Sequence, residues 1–323
     1  MNKTYLLFIF GILFLLPSLK LVAQQERQYS MTMLNPYSYN AAFAGQDYSL
    51  SATGVFRRQW LGLDFTPITQ QVNVHAPIAS LAGGIGLVFE NDAFGAERNM
   101  RIGLGYAYHL PLGNGLLSFG ARANLSQRSL DGSQLRTPEG VYDGAFDHND
   151  PILSNNNESG QTPAFDAGIY YRDEVWDFGL GVNNVTESTV DLTALSLTNF
   201  RTITFNAGMT YELTYAINLK PQVFIQSDLV QTQMAASLLV EYDEKYFGGA
   251  SFRGFDGSSR DAVAIIGGLQ ISEKLRLGYS YDVILSPFKE VSTGSHEILL
   301  NYNLNQQYIF SKPPNTIYHP RAF

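Results

Sequence analysis

The chain has 323 residues, no cysteine, and 21 Lys+Arg against 29 Asp+Glu, a formal charge of −8. This excludes a disulfide framework, a thiolate metal site and a cysteine nucleophile, and it argues against a nucleic-acid partner. Charged residues make up 15% of the chain, below the roughly 25% of ordinary soluble domains.

The missing charge is replaced by 29 Gly, 19 Tyr and 21 Phe. That composition points to a β-rich chain whose outer surface need not face water. Residues 1–23 read as a cleaved signal peptide: Lys3 supplies a positive start and Tyr5 to Leu16 an apolar run. Pro17, Ser18 and Lys20 interrupt that run before it reaches the length of a membrane-spanning helix. Residues 24–46 form a leader without clean alternation. Its Met31, Met33, Leu34 and Phe43 would be costly to leave wet, so it is expected to plug the mouth or lumen of whatever follows.

From residue 47 onward apolar and polar residues alternate with a period of two. Met100, Ile102, Leu104, Tyr106 and Tyr108 share one face, opposite Arg101, Gly103, Gly105, Ala107 and His109. Leu275, Leu277, Tyr279, Tyr281 and Val283 likewise oppose Arg276, Gly278, Ser280 and Asp282. A soluble sandwich also alternates. These runs, however, match the nine to eleven tilted residues that cross a bilayer, and Trp60, Tyr106, Trp176 and Tyr211 sit where interfacial girdles belong.

The predicted strands are 47–57, 67–76, 81–90, 99–110, 115–127, 163–172, 175–183, 200–212, 217–228, 232–243, 246–254, 261–271, 274–285 and 295–305. The fold class is therefore all-β: a transmembrane antiparallel outer-membrane β-barrel of about fourteen strands over residues 47–305. Connections after even-numbered strands are short, and most of those after odd-numbered strands are longer. Short periplasmic turns and long external loops are the rule for such barrels, which places both termini in the periplasm and residues 306–323 in a periplasmic tail.

Chemistry is sparse. No two of His75, His109, His148, His296 and His319 share a metal-ligand spacing, and Gly83-Gly84-Ile85-Gly86 leads into strand rather than a helix. Asp143, Asp147, Asn149 and Asp150 are rich in oxygen, but their spacing does not match a calcium loop and fits a solvated external loop. No catalytic, cofactor-binding or metal-binding residue is assigned, and the chain is not expected to be an enzyme.

Several motifs together resemble one family. Asn35-Pro36 followed by Asn40-Ala41-Ala42-Phe43-Ala44-Gly45 is similar to an NP…NPAYAG leader, with Ala41 and Phe43 departing from it. Arg57-Arg58-Gln59-Trp60 resembles RxQW, and Thr66-Pro67-Ile68-Thr69-Gln70 with His75 and Pro77 resembles TPxTQ…HxP. Asn91-Asp92 with Gly95 and Arg98, Gly278-Tyr279-Ser280-Tyr281-Asp282, and Gly294-Ser295-His296-Glu297-Ile298 extend the likeness. The family is PorP/SprF, outer-membrane proteins of the type IX secretion and gliding machinery of Bacteroidota. The resemblance implies a barrel that anchors or assists export of a large surface protein or adhesin. Outer-membrane lipid and periplasmic type IX components are its other implied partners. It marks Asn35, Pro36, Asn40, Gly45, Arg57, Gln59 and Trp60 as plug or partner-contact residues, with Arg57 to Trp60 expected on the external face. A diffusion porin for small solutes is the alternative.

Overall fold

The computed structural model describes residues 27–305 apart from 144–145, 151, 194 and 256–258. The predicted signal peptide and periplasmic tail lie outside the described residues. Fourteen strands build the wall, one on each predicted span. They begin with β1 Ser51–Arg58, β2 Ile68–Ile78, β3 Gly83–Phe94, β4 Glu97–Leu112 and β5 Gly115–Asp131. Next come β6 Asn157–Arg172, β7 Trp176–Asn183 and β8 Thr202–Met209, which resumes after Thr210 as Tyr211–Thr214. β9 Ile217–Ser227, β10 Thr232–Tyr242, β11 Tyr246–Phe255, β12 Ser259–Ser272, β13 Leu275–Ile284 and β14 Ser295–Asn303 complete it.

Each strand pairs antiparallel with its chain neighbours, and β1 pairs with β14 from Ser51↔Asn303 to Arg58↔His296. The sheet is therefore closed and has no edge. Closure lets every wall strand satisfy its backbone groups where no water is available. Among the described residues no helix is long and apolar enough to cross a membrane.

The alternation turns the apolar face outward. Ile102, Leu104, Tyr106 and Tyr108 are exposed on β4, while Arg101, Gly103, Gly105 and Ala107 point inward and are buried. β13 follows the same rule, with Tyr279 and Val283 outside and Ser280 and Asp282 buried inside. This is the reverse of a soluble core, and it suits a wall whose solvent is lipid.

The strands depart from their expected lengths and loops in three places. β4, β5 and β6 run 16, 17 and 16 residues, longer than the predicted ten to thirteen, and β6 begins ten residues before its pairing with β7. β3 also continues to Phe94 and pairs it with Glu97, so the connection between β3 and β4 shrinks to Gly95 and Ala96, shorter than the loop expected. The 184–201 connection also holds a short hairpin, Thr189–Asp191 paired with Ser196–Thr198. The longest connection, 132–156, is folded on itself. Its buried His148 contacts the Gly132 carbonyl at 2.9 Å through Nε2 and the Tyr142 hydroxyl at 3.2 Å through Nδ1. Asp147 and Asp150 there accept backbone N–H bonds from Asn149 and Ile152, as turn residues do.

Residues 27–50 are not part of the wall. Three single-turn 3-10 helices, Thr32–Leu34, Pro36–Ser38 and Ala41–Phe43, fold this leader inside the barrel. Its position limits what the inner face accepts. On charge grounds alone an Arg at Gly105 or Ser280 is better tolerated than one on the outer face, because the inner face is polar. However, a Cβ at Gly105 would already stand 2.8 Å from the Tyr37 hydroxyl, and Ser280 has no exposed surface. Charge is acceptable on the inner face; volume is not.

A comparison of the two faces tests this. Leu104→Arg should lower stability by about 2–4 kcal/mol if it lies near the bilayer midplane, whereas Leu104→Phe should be nearly neutral. Gly105→Arg should prevent the leader from seating. Urea unfolding in lipid vesicles measures all three, and equal losses for both Leu104 variants would contradict the outward assignment.

Candidate functional site: the occupied lumen

The leader runs the length of the lumen. Arg27 and Tyr29 lie at the end of the barrel where β1 finishes and β2 begins: both bond Glu90, Tyr29 at 2.8 Å. Asp47 lies at the opposite rim, where its carboxylate accepts from Arg172 at 3.2 Å. The first and last wall strands meet at that second rim, through Ser51↔Asn303. From that rim the leader turns back through the lumen, so Arg27 lies at the end of the barrel opposite Ser51.

Two buried ionic clusters hold it. Arg57 on β1 has no exposed surface and donates to Ser30 Oγ at 2.8 Å, Glu297 Oε2 at 3.0 Å and Asp282 Oδ2 at 2.7 Å. Glu297 accepts the backbone N–H groups of Ser30 and Met31, and Ser30 Oγ donates to Asp282 at 2.7 Å. Arg253 donates to Asp282 from the other side at 3.0 Å. The second cluster joins Arg122 to Asp166 at 2.7 Å, and Arg122 also donates to the carbonyls of Tyr37 and Ser38. Each buried charge is thus paired, as a low-dielectric interior requires.

The amides are equally specific. Asn35 donates to Gln71 Oε1 and accepts from Asn73, each at 2.8 Å. Pro36 opens the second 3-10 turn, where its fixed φ suits the first position and its missing N–H is not needed. Asn40 caps the third turn by accepting the Ala42 N–H at 3.0 Å, and it donates to the Ile169 carbonyl at 3.1 Å. Gly45 adopts φ +80 and donates its N–H to His75 Nδ1 at 3.2 Å. A Cβ there would meet Gly84 Cα at 2.8 Å, so glycine is required twice over. Phe43 packs edge-on against Tyr170 and His75, with centroids 5.0 and 5.5 Å apart.

The seven residues singled out in the sequence therefore divide. Asn35, Pro36, Asn40, Gly45 and Arg57 belong to the leader and its lumenal anchors. Gln59 is buried just past β1, its N–H bonded to the Pro67 carbonyl at 3.0 Å. Trp60 is apart from the rest, stacked on Phe288 at 5.3 Å in the connections beyond the wall. Arg57 was expected to shape an external face. It points inward instead, because it falls on the buried parity of β1 with Thr53 and Val55.

Sequence reasoning missed Ser30, Glu90, Arg122, Asp166 and Arg253. The available signal was parity: Asp282 and Glu297 sit on the minority faces of their strands, as Arg57 does on its own. Below the leader, a cavity of about 930 Å³ opens toward the rim where β1 begins. Its floor is Met33, Pro36 and Tyr37, and its wall carries Lys220 bonded to Glu241, with Arg276 donating to Glu241 at 3.1 Å.

The fold and its occupied lumen define an outer-membrane β-barrel with an internal plug. No curated protein matches the chain. The toluene transporter TbuX of Ralstonia pickettii is similar at 10% identity and a TM-score of 0.47, covering 84% of this chain and 92% of that one. Omp33 of Acinetobacter baumannii is similar at 10% identity and a TM-score of 0.44, covering 79% and 98%. The type IX secretion system membrane protein family PorP/SprF matches residues 21–302. The chain belongs to that family.

The Arg57 cluster can be tested by a double-mutant cycle. Arg57→Met leaves Glu297 buried with only backbone partners and should cost about 3–5 kcal/mol. Arg57→Met with Glu297→Gln should recover part of that loss, because no unpaired charge remains. Urea midpoints of the folded barrel give the coupling energy, and strict additivity would contradict the pairing.

Proposed function

We propose that this barrel is a closed scaffold of the type IX apparatus that anchors, or assists export of, a large cell-surface protein, and that it is not an enzyme. The observation that carries the reading is the leader. Residues 27–46 occupy the lumen and are tied to opposite sides of the wall by buried hydrogen bonds that Arg57 donates to Ser30 and Arg122 donates to the Tyr37 carbonyl. A passage for solutes would require that network to break, which disfavours the porin reading. In this orientation the rim with Ser51 and Asn303 faces the periplasm, and the 930 Å³ cavity opens toward periplasmic type IX components. The long 132–156 and 184–201 connections then meet the client outside. Trp60 is kept as a candidate client contact; Asn35, Pro36, Asn40, Gly45 and Arg57 act by seating the plug.

Two measurements check this. Because the chain has no cysteine, single cysteines report orientation without background. Ser133→Cys should react with an impermeant maleimide on intact cells and Lys245→Cys should not; the opposite pattern would reverse the topology. Deletion of residues 27–46 should leave some barrel in the membrane, raise its conductance from near zero to a steady open level, and remove the client from the surface proteome. Unchanged client display would refute the scaffold reading, and high conductance of the intact barrel would favour the porin.

A further inference from the structure

The outer wall carries a polar interruption that the scaffold reading does not use. On strands β1 to β4 the apolar belt includes the row Val72, Phe89 and Ile102, all exposed and all in register. One row further toward the 59–67 connection, Gln70 is exposed and Asn91, buried, holds the same outward register position between Phe56 and Met100. The next row reads Arg58, Ile68, Ala93, Arg98. Both arginines are exposed on the outward parity of their strands. Three strand spacings separate them, about 14 Å.

Their partners are unusual for surface arginines. Arg98 donates through Nε to Asn91 Oδ1 at 2.6 Å, and Asn91 in turn donates to Gln70 at 3.2 Å. This orients the guanidinium while leaving its two terminal nitrogens free among the described residues. Arg58 has no hydrogen-bond or ion-pair partner among the described residues. Every carboxylate on β1 to β4 and β14, namely Glu90, Asp92, Glu97 and Glu297, lies on the lumenal parity. Asp64 and Glu290 lie in the connections beyond and bond neither arginine. An arginine fork on a lipid-facing wall still needs oxygen acceptors, and bidentate recognition of phosphate meets that need.

We propose that Arg58 and Arg98 form a binding site for a phosphorylated glycolipid of the outer leaflet, its headgroup bridging the two guanidinia and its acyl chains lying on Phe56, Val72 and Phe89. Water is the competing acceptor, since long cationic side chains snorkel past an apolar belt. The two arrangements differ in consequence, because only a lipid site discriminates between headgroups.

The site rests on the orientation given above, and the two fail separately. Purified barrel in phosphatidylcholine nanodiscs is titrated with a bisphosphorylated lipid A, the same lipid dephosphorylated, phosphatidylglycerol and inorganic phosphate, and bound lipid is counted by native mass spectrometry. The wild type should retain the phosphorylated glycolipid preferentially. Arg58→Gln with Arg98→Gln should weaken retention about thirtyfold, as expected for two cations near a charged surface, while Lys245→Gln at the opposite rim should not. The folded fraction of each variant is read on the same samples, so a folding defect is scored apart from binding. Equal retention by the double variant, or equal binding of dephosphorylated lipid, phosphatidylglycerol or free phosphate, would overturn the site. Reversed cysteine labelling would instead overturn the leaflet assignment.

Discussion

A closed antiparallel wall in lipid has one consequence from which the rest of this structure follows: the apolar face must point out, so the inner face is polar. An ordinary hydrophobic core cannot fill such a lumen. Whatever occupies it must bring its own polar partners, and the leader does so through Ser30, Asn35, Asn40 and backbone carbonyls that accept from Arg122. The ion pairs themselves join wall strand to wall strand and add little net stability compared with apolar packing. The leader's contribution is to fill the remaining hydrogen-bonding positions of those buried charges, which would be left short of partners if it shifted.

The wall was legible because its physics is periodic. Outward and inward residues alternate without interruption in β4, β5 and β13, so strand number and face could be read from the sequence. What joins distant strands could not. Ser30 and Asp282 are 252 positions apart, and only closure brings them to 2.7 Å. The leader defeated periodicity altogether, since three isolated 3-10 turns carry no repeat. Its family motif located the important residues without revealing their direction. Arg57 shows the cost of reading position along a strand without parity: it stands near the end of β1 but faces the lumen, where Glu297 on β14 awaits it.

The motif residues also explain themselves once the leader is seated. Asn35 and Asn40 use both ends of their amides: Asn35 bonds Gln71 and Asn73, both on β2, and Asn40 bonds the Ile169 carbonyl on β6 and Ala42 within the leader. Gly45 marks the place where the leader backbone passes closest to β3. The wall yields space in return: a Cβ at Gly120 would lie 2.3 Å from Ala42 N. Gly84, Gly86 and Gly168 on the wall are likewise matched to the occupant, since a Cβ on each would meet a leader atom.

The deepest coupling is between the leader and the seam. β1 and β14 are the only neighbouring wall strands that are not also neighbours in sequence, so their pairing carries the largest loop-closure penalty of the fold. Arg57 and Glu297 are direct register partners across that seam, and they bond each other at 3.0 Å. Ser30 bonds both: its N–H donates to Glu297 and its hydroxyl accepts from Arg57. The leader is thus a strap over the one non-local join in the wall as well as a filling for the lumen. A segment that reads as an irregular terminus consequently belongs to the mechanism that keeps the barrel shut. This is also why plugging and closure cannot be treated as separate properties of this protein.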